Sequence, residues 1–310
     1  MKKILISGAA GFIGSHLCDF YLNKNFSVIG IDNFMTGSIS NIEHNLDNKN
    51  FNFIKHDIRE KININVKLDY ILHFASPASP IDYLNFPIET LQIGSIGTEN
   101  FLNLAEENNA RIIVASTSEV YGDPLQHPQS ESYFGNVNPV GPRGVYDEAK
   151  RYLEALSTAY KKVKNVDVGI VRIFNTYGPR MRISDGRAIP NFINQAINNE
   201  NFTVYGDGTQ TRSFCYVSDT VDGIDRLLKS SYKEPINIGN PEEYTILDLI
   251  KIIKSTTNNT NSKLIFNNLP ENDPKFRQPN IKLANKVLKW SPKINLTEGL
   301  FKTIKYYNNL

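Results

Sequence analysis

Residues 3–17 read KILISGAAGFIGSHL: a short apolar run ending at Ser7, glycines at 8, 11 and 14, then the opening of a helix-like segment. The run is β-branched and bounded by glycine, as a buried parallel strand is. Glycines there permit a tight turn and the close approach of backbone to a pyrophosphate at a helix N-terminus. A glycine-rich strand–helix turn without a ligand would use the same letters, so the surrounding sequence has to decide. The second run, FSVIGI (26–31), leads into Asp32, 18 residues after Gly14. A carboxylate in that place accepts hydrogen bonds from an adenosine ribose diol and repels a 2′-phosphate, which selects NAD over NADP. Asp57, after the third run FNFI (51–54), fits an adenine contact or a helix N-cap.

Three more runs follow: YILHFA (70–75), RIIVAS (111–116) and VGIVRIF (168–174). Between the last two, Tyr152, Ala155, Leu156, Ala159, Tyr160 and Val163 make a helical stripe within 146–163. Strand alternating with helix predicts an α/β fold, a doubly wound parallel sheet of the Rossmann type. After about residue 175 the rhythm changes. NTYGPRMRISDGRAIP (175–190) reads as a functional loop, a strand–helix unit follows near 213–238, and helical segments lie near 245–257, 281–289 and 297–309. The expected division is a dinucleotide-binding domain over 1–174, joined by the unit near 213–238, with 175–212 and 239–310 forming a smaller C-terminal lobe for the substrate. NNTNSK (258–263) is expected to be an exposed loop.

The bulk numbers exclude several classes. The 310 residues are 40% hydrophobic and 21% charged, enough to bury a large core, and 34 basic against 32 acidic residues leave a net charge of +2. That balance speaks against a nucleic-acid or membrane-surface protein. No apolar stretch approaches the roughly 20 residues that span a bilayer. The first residues, MKKILISGAAGFIGSHLC, superficially resemble a secretion signal, but the glycines break the run and have their own explanation. Two cysteines, Cys18 and Cys215, are too few for a disulfide framework, so a reducing compartment, the cytoplasm, is expected.

The second constellation begins with ASTSEVYGDP (115–124), where three hydroxyls and Glu119 crowd a strand end. Ser and Thr close strands by bonding nearby backbone, which is one explanation. The other comes from YDEAK (146–150), where Tyr146 and Lys150 lie four apart and share one helix face. A free phenol has a pKa of about 10. A neighbouring ammonium and the positive ring of an oxidised nicotinamide would lower it, making Tyr146 a base for a hydroxyl proton while hydride leaves the same carbon. Thr117 would hold the substrate oxygen beside it. An exposed Tyr with a Lys one turn on uses the same letters.

Taken together, GAAGFIG, STSEVYG, YDEAK, RIFNTYGPR and VYGDGTQTRSFCYVSD resemble the extended short-chain dehydrogenase/reductases that act on nucleotide sugars. HFASPASP (73–80), HPQSE (127–131), NPVGPRGVYDEAKR, FNTYGPRMRISDGR and NPEEYTILDL resemble, more narrowly, the UDP-glucuronate decarboxylase (UDP-xylose synthase) family, over the chain from Lys3 to the last helix. That resemblance implies oxidation at C4 of UDP-glucuronate, loss of CO2 from the resulting β-keto acid, protonation at C5 and re-reduction at C4. There is no net redox change, NAD is the cofactor, and no metal is called for. It implies catalytic roles for Thr117, Ser118, Glu119, Tyr146, Lys150 and Arg277. In related 4,6-dehydratases an Asp stands where Ser118 does and protonates a leaving hydroxyl, which a decarboxylase does not need. It also implies a cofactor set of Gly8, Gly11, Phe12, Ile13, Gly14, Asp32, Asn33, Phe34, Thr36, Gly37, Asp57, Ile58, Phe74, Ala75, Ser76, Tyr146, Lys150 and Thr176. Around the UDP-sugar it implies Asn175, Arg187, Tyr205, Gln210, Arg212 and Arg277. Tyr205 fits core packing equally well, and on composition alone Arg277, in DPKFRQPNI (273–281), is a surface arginine. The family further implies a homodimer through a four-helix bundle made by segments 90–108 and 146–163.

The chief alternatives are a 4-epimerase or 4,6-dehydratase on another nucleotide sugar, a decarboxylase that releases the 4-keto pentose, and a non-catalytic NAD-binding scaffold. Arg277 with Ser118 argues against the first two, whose substrates are expected to present no carboxylate. The set Thr117, Tyr146 and Lys150 argues against the scaffold. One stretch departs from the family: in TLQIGSIGTEN (90–100), Gln92 replaces a Lys and Gly94 an Asn. Losing the Lys removes a phosphate contact, and glycine costs a helix about 1 kcal/mol relative to alanine. A looser hold on NAD, or compensation elsewhere, is implied.

Overall fold

The computed structural model describes residues 1–257, 261–269 and 276–309, so part of the NNTNSK loop (258–260) and the first residues of DPKFRQPNI (273–275) lie outside the described residues. All six apolar runs form strands: β1 (Lys3–Ser7), β2 (Ser27–Asp32), β3 (Phe51–Lys55), β4 (Tyr70–His73), β5 (Arg111–Thr117) and β6 (Val168–Ile173). The helices between them are α1 (Phe12–Asn23), α2 (Pro80–Asn85), α3 (Pro87–Gln92), α4 (Thr98–Asn108) and α5 (Gly144–Val163), with a wide π-helical turn, Ile93–Gly97, joining α3 to α4. Beyond β6 come β7 (Thr176–Tyr177), α6 (Ala188–Ile197), β8 (Phe202–Tyr205), β9 (Thr211–Ser213), β10 (Cys215–Tyr216), α7 (Val217–Lys229) and β11 (Pro235–Ile238). The remainder is β12 (Glu243–Thr245), α8 (Ile246–Thr257), β13 (Leu264–Asn267), α9 (Lys282–Leu288) and α10 (Leu296–Tyr307).

The main sheet runs β11-β6-β5-β4-β1-β2-β3, every pairing parallel. Its strands are apolar on both faces because helices cover both, and all seven residues of β5 are buried. On one side Leu17, Cys18 and Tyr21 of α1 share a core with Ile224 and Leu227 of α7. On the other, Phe101 and Leu102 of α4 pack with Leu153 and Tyr160 of α5. Chain order reverses between β1 and β4, and such a switch point leaves a crevice at the strands' carboxyl ends, where ligands of open α/β sheets bind. Outside this sheet, α6 packs with α8 and α8 with α10, beside the short pairs β8–β13 and β9–β12. No helix among the described residues is long and apolar enough to cross a membrane.

Candidate active site

A cavity of about 1080 Å³ opens at this crevice. Gly8, Gly11, Phe12, Ile13, Gly14, Asp32, Asn33, Thr36, Ile58, Phe74, Ala75, Ser76 and Thr176 line one part of it. Thr117, Ser118, Glu119, Tyr146, Lys150 and Arg277 line it as well, and so do Asn175, Arg187, Tyr205, Gln210 and Arg212. Three residues of the expected cofactor set do not face it. The Phe34 ring lies 5.3 Å from that of Phe53, and Gly37 lies against Ala10. Asp57 is occupied by Arg59, through Nε at 3.0 Å and Nη2 at 2.7 Å, and by Asn33 Nδ2 at 3.2 Å.

The dinucleotide reading rests on close approach. Gly8 adopts φ +71, and a Cβ there would sit 2.9 Å from the Ala75 backbone; one on Gly14 would sit 1.9 Å from the Gly8 carbonyl oxygen. Only glycine permits both. No side chain caps the N-terminus of α1, which leaves its first N–H groups for a phosphate. Asp32 accepts from Ala10 N at 3.0 Å and Phe34 N at 2.8 Å, which fixes its carboxylate at the cavity wall. These residues fit NAD.

At the expected catalytic residues, β5 finishes at Thr117 and a 3-10 turn, Ser118–Tyr121, follows. The strand-closing reading of the hydroxyl cluster is visible in Thr117 Oγ1, which accepts from Glu119 N at 3.3 Å, and Thr117 also lies near enough to Tyr146 to influence its phenol. Tyr146 is buried, its ring stacked 5.2 Å from that of Tyr83. Burial and the Glu119 charge push its pKa up, while Thr117 and Arg187 pull it down. The protein by itself therefore does not produce the lowered phenol that the Tyr–Lys spacing predicts. Lys150 Nζ, 5.7 Å from the Tyr146 ring centre, donates to the Ala115 carbonyl at 2.8 Å, and burial lowers it to about 8.

Arg277 is 2% exposed and is not a surface residue. It donates to the Ser118 and Gly122 carbonyls and pairs with both oxygens of Glu119 at 3.2 Å. Arg143 binds Oε2 of the same carboxylate. Burial pushes Glu119 up, but the two guanidiniums outweigh it and hold it well below the usual carboxylate range. Arg143 was missed in the sequence although GPRGVY places it one turn before Tyr146; Tyr83 was missed as well. Among the UDP-side residues, Arg187 is held by Asp185, with Nη2–Oδ2 at 2.8 Å. Tyr205 is exposed at the cavity edge rather than packed in the core.

A glycine cradle at the switch point of a parallel sheet, with a Thr–Tyr–Lys set beside it, defines the class: an extended short-chain dehydrogenase/reductase. The model of the family described as GDP-mannose 4,6 dehydratase matches residues 5–303. UDP-glucuronic acid decarboxylase 1 of Danio rerio is 50% identical over 307 residues, 99% of this chain and 73% of that protein. UDP-glucuronic acid decarboxylase 5 of Arabidopsis thaliana is 51% identical over 299 residues, 96% of this chain and 87% of its own. Among solved structures, UDP-glucuronic acid 4-epimerase of Bacillus cereus, in complex with UDP-glucuronic acid and NAD, superposes with a TM-score of 0.87 at 30% identity, over 99% of each chain. The chain belongs to this family of extended short-chain dehydrogenase/reductases and, within it, groups with the UDP-glucuronic acid decarboxylases.

Proposed function

We propose that this enzyme converts UDP-glucuronate to UDP-xylose and CO2, and that the residues expected from the sequence carry the reaction. The observation that carries the reading is Arg277: a buried guanidinium, from a segment that looks like surface, lies against Ser118 and Glu119 in the cavity that Thr117 and Tyr146 also line, where it suits a uronate carboxylate. Tyr146 takes the proton of the C4 hydroxyl, and Thr117 orients that oxygen. NAD would be held by the Gly8–Gly11–Gly14 turn and Asp32, and would supply the hydride acceptor and donor that the C4 chemistry needs. Its positive ring is also the influence that would bring the raised Tyr146 phenol down. The C4 ketone stands β to the carboxylate, so the C5–CO2 bond breaks with its electron pair flowing into that carbonyl. A proton then adds at C5. Ser118 presents no second carboxylate to the substrate. Arg187 and Arg212 suit the diphosphate.

The two-part division of the chain belongs to the same reading, with the sheet holding NAD and 175–212 and 239–310 holding the UDP-sugar. So does a homodimer: Ile81, Leu84, Ile88, Leu91, Ile96 and Tyr152 leave apolar side chains exposed along α2, α3, the π-helical turn and α5. This face begins earlier than the expected 90–108 segment. Buried, unbridged Cys18 and Cys215 fit a reducing compartment, and we place the protein in the cytoplasm.

The Bacillus cereus 4-epimerase is named for UDP-glucuronic acid, so a carboxylate-bearing substrate does not by itself exclude epimerisation. The product decides. Incubation with UDP-glucuronate, with and without added NAD, followed by proton NMR, is expected to give UDP-xylose in both tubes. A C4-epimeric uronate would make the protein an epimerase, and accumulating 4-keto pentose would mean that the cycle stops after CO2 loss.

A further inference from the structure

The donors of Arg277 are nearly all committed. One proton of each terminal nitrogen goes to a backbone carbonyl, Ser118 or Gly122, and these contacts anchor the side chain. Both nitrogens also face Glu119, with an Nη2–Oε2 hydrogen bond and an Nη1–Oε1 ion pair, each at 3.2 Å. That is the fork a carboxylate takes. A substrate carboxylate gripped by Arg277 therefore needs the two protons that Glu119 holds. Glu119 cannot simply be released, because an ionised carboxylate beside a uronate is repulsive in a buried site. A second guanidinium is in place to receive it: Arg143, from the loop ahead of α5, already binds Glu119 Oε2.

We propose that Arg143 is a specificity-determining positioning residue that retains and neutralises Glu119 while Arg277 turns its fork from Glu119 to the carboxylate of a nucleotide-linked uronate. This deepens the decarboxylase reading and rests on it. The exchange leaves the charge count favourable: two guanidiniums face one carboxylate before binding and two after it. It also protects Tyr146, whose phenol is already pushed up by the Glu119 charge. Groups facing Glu119 are Arg277 and Arg143, with Arg212 further off; Asp147, one residue after Tyr146 and buried, adds a negative charge that the same arginines offset.

The test uses the NAD-loaded protein in a Tyr146→Phe background, which stops turnover, and titrates UDP-glucuronate and UDP-xylose by calorimetry. Arg143→Leu is expected to weaken UDP-glucuronate about tenfold or more while leaving UDP-xylose, which lacks the carboxylate, within about threefold. Adding Glu119→Gln to Arg143→Leu is expected to restore UDP-glucuronate, because the charge that needed neutralising is gone. Arg143→Lys keeps the charge without the fork and is expected to fall between. The proposal is overturned if Arg143→Leu weakens both ligands alike, if it weakens neither, or if Glu119→Gln restores nothing. Retained NAD and an unchanged melting temperature are the folding control. Failure of the Tyr146→Phe parent to bind UDP-glucuronate while binding UDP-xylose would instead sink the decarboxylase reading.

Discussion

At the scale of single residues, His73 has an unusually complete set of partners. Ser7 Oγ accepts N–H groups from Phe74 at 3.0 Å and Ala75 at 3.1 Å, so its own proton goes to His73 Nδ1, 2.9 Å away. His73 Nε2 then carries the ring hydrogen and donates to Thr98 Oγ1 at 3.2 Å, which donates to the Ile93 carbonyl at 3.3 Å. The ring is neutral in that arrangement, and burial, with the Lys150 charge, lowers it to about 3. The unfolded chain protonates this His near 6.5, so between those values it binds more protons than the fold does. Stability is therefore full above 6.5 and falls as pH drops. Between pH 7 and pH 5 the native protein should lose about 2 kcal/mol more than His73→Asn does, read from urea unfolding at the two pH values. Equal losses would contradict it. HFASPASP pointed to Phe74, Ala75 and Ser76 in the sequence, but not to this His. Its partner Ser7 is 66 positions away, and nothing local announces the pairing. Arg143 was hidden for the same reason: its value lies in Glu119, 24 positions back.

At the scale of elements, the departure at 92–94 changes meaning. Read as a helix, Gly94 is a weakness; in the structure it sits in a π-helical turn pressed on α5, where a Cβ would meet the Ala149 carbonyl oxygen at 2.8 Å and the Ala149 Cβ at 2.9 Å. Ala149 occupies the room, so glycine is required and alanine is the worse residue. Gly94→Ala is expected to cost about 1–3 kcal/mol and lower the melting temperature by several degrees, and Ala149→Gly added to it to recover little, because the nearest clash is with the Ala149 backbone carbonyl. An unchanged melting temperature for the single variant would refute the close packing. Gln92 finds a different use from the Lys it replaces: its Oε1 accepts from Arg59 Nη1 at 2.9 Å, in the group that fixes Asp57. Helix propensity alone could not reveal either compensation, because each depends on a neighbour from another element.

At the scale of the whole molecule, the alternation of strand and helix made the sheet legible from the chain alone, since buried parallel strands must be short, apolar and separated by crossovers. The cavity lining was legible wherever it followed strand ends, as at Gly8, Asp32, Thr117 and Asn175. Which of the neighbouring residues reach the cavity was not, and Phe34, Gly37 and Asp57 do not line it. The exposed apolar residues of α2, α3 and α5 make a prediction at this scale too. The native protein should sediment as two copies, and Leu84→Glu with Ile88→Glu should sediment as one. A native monomer would remove the homodimer from the reading.

The seventh strand, β11, lies beside β6 although residues 174–234 separate them in sequence, and Arg111 ties β5 to the chain between them through the Leu227 and Tyr232 carbonyls. A ribosome that has delivered everything up to β6 has thus produced six adjacent strands whose outermost member still shows Val168, Ile170 and Val171 along a bare edge. Until Pro235–Ile238 emerges, that edge is open to pairing with the wrong chain, and β11 closes it late in synthesis.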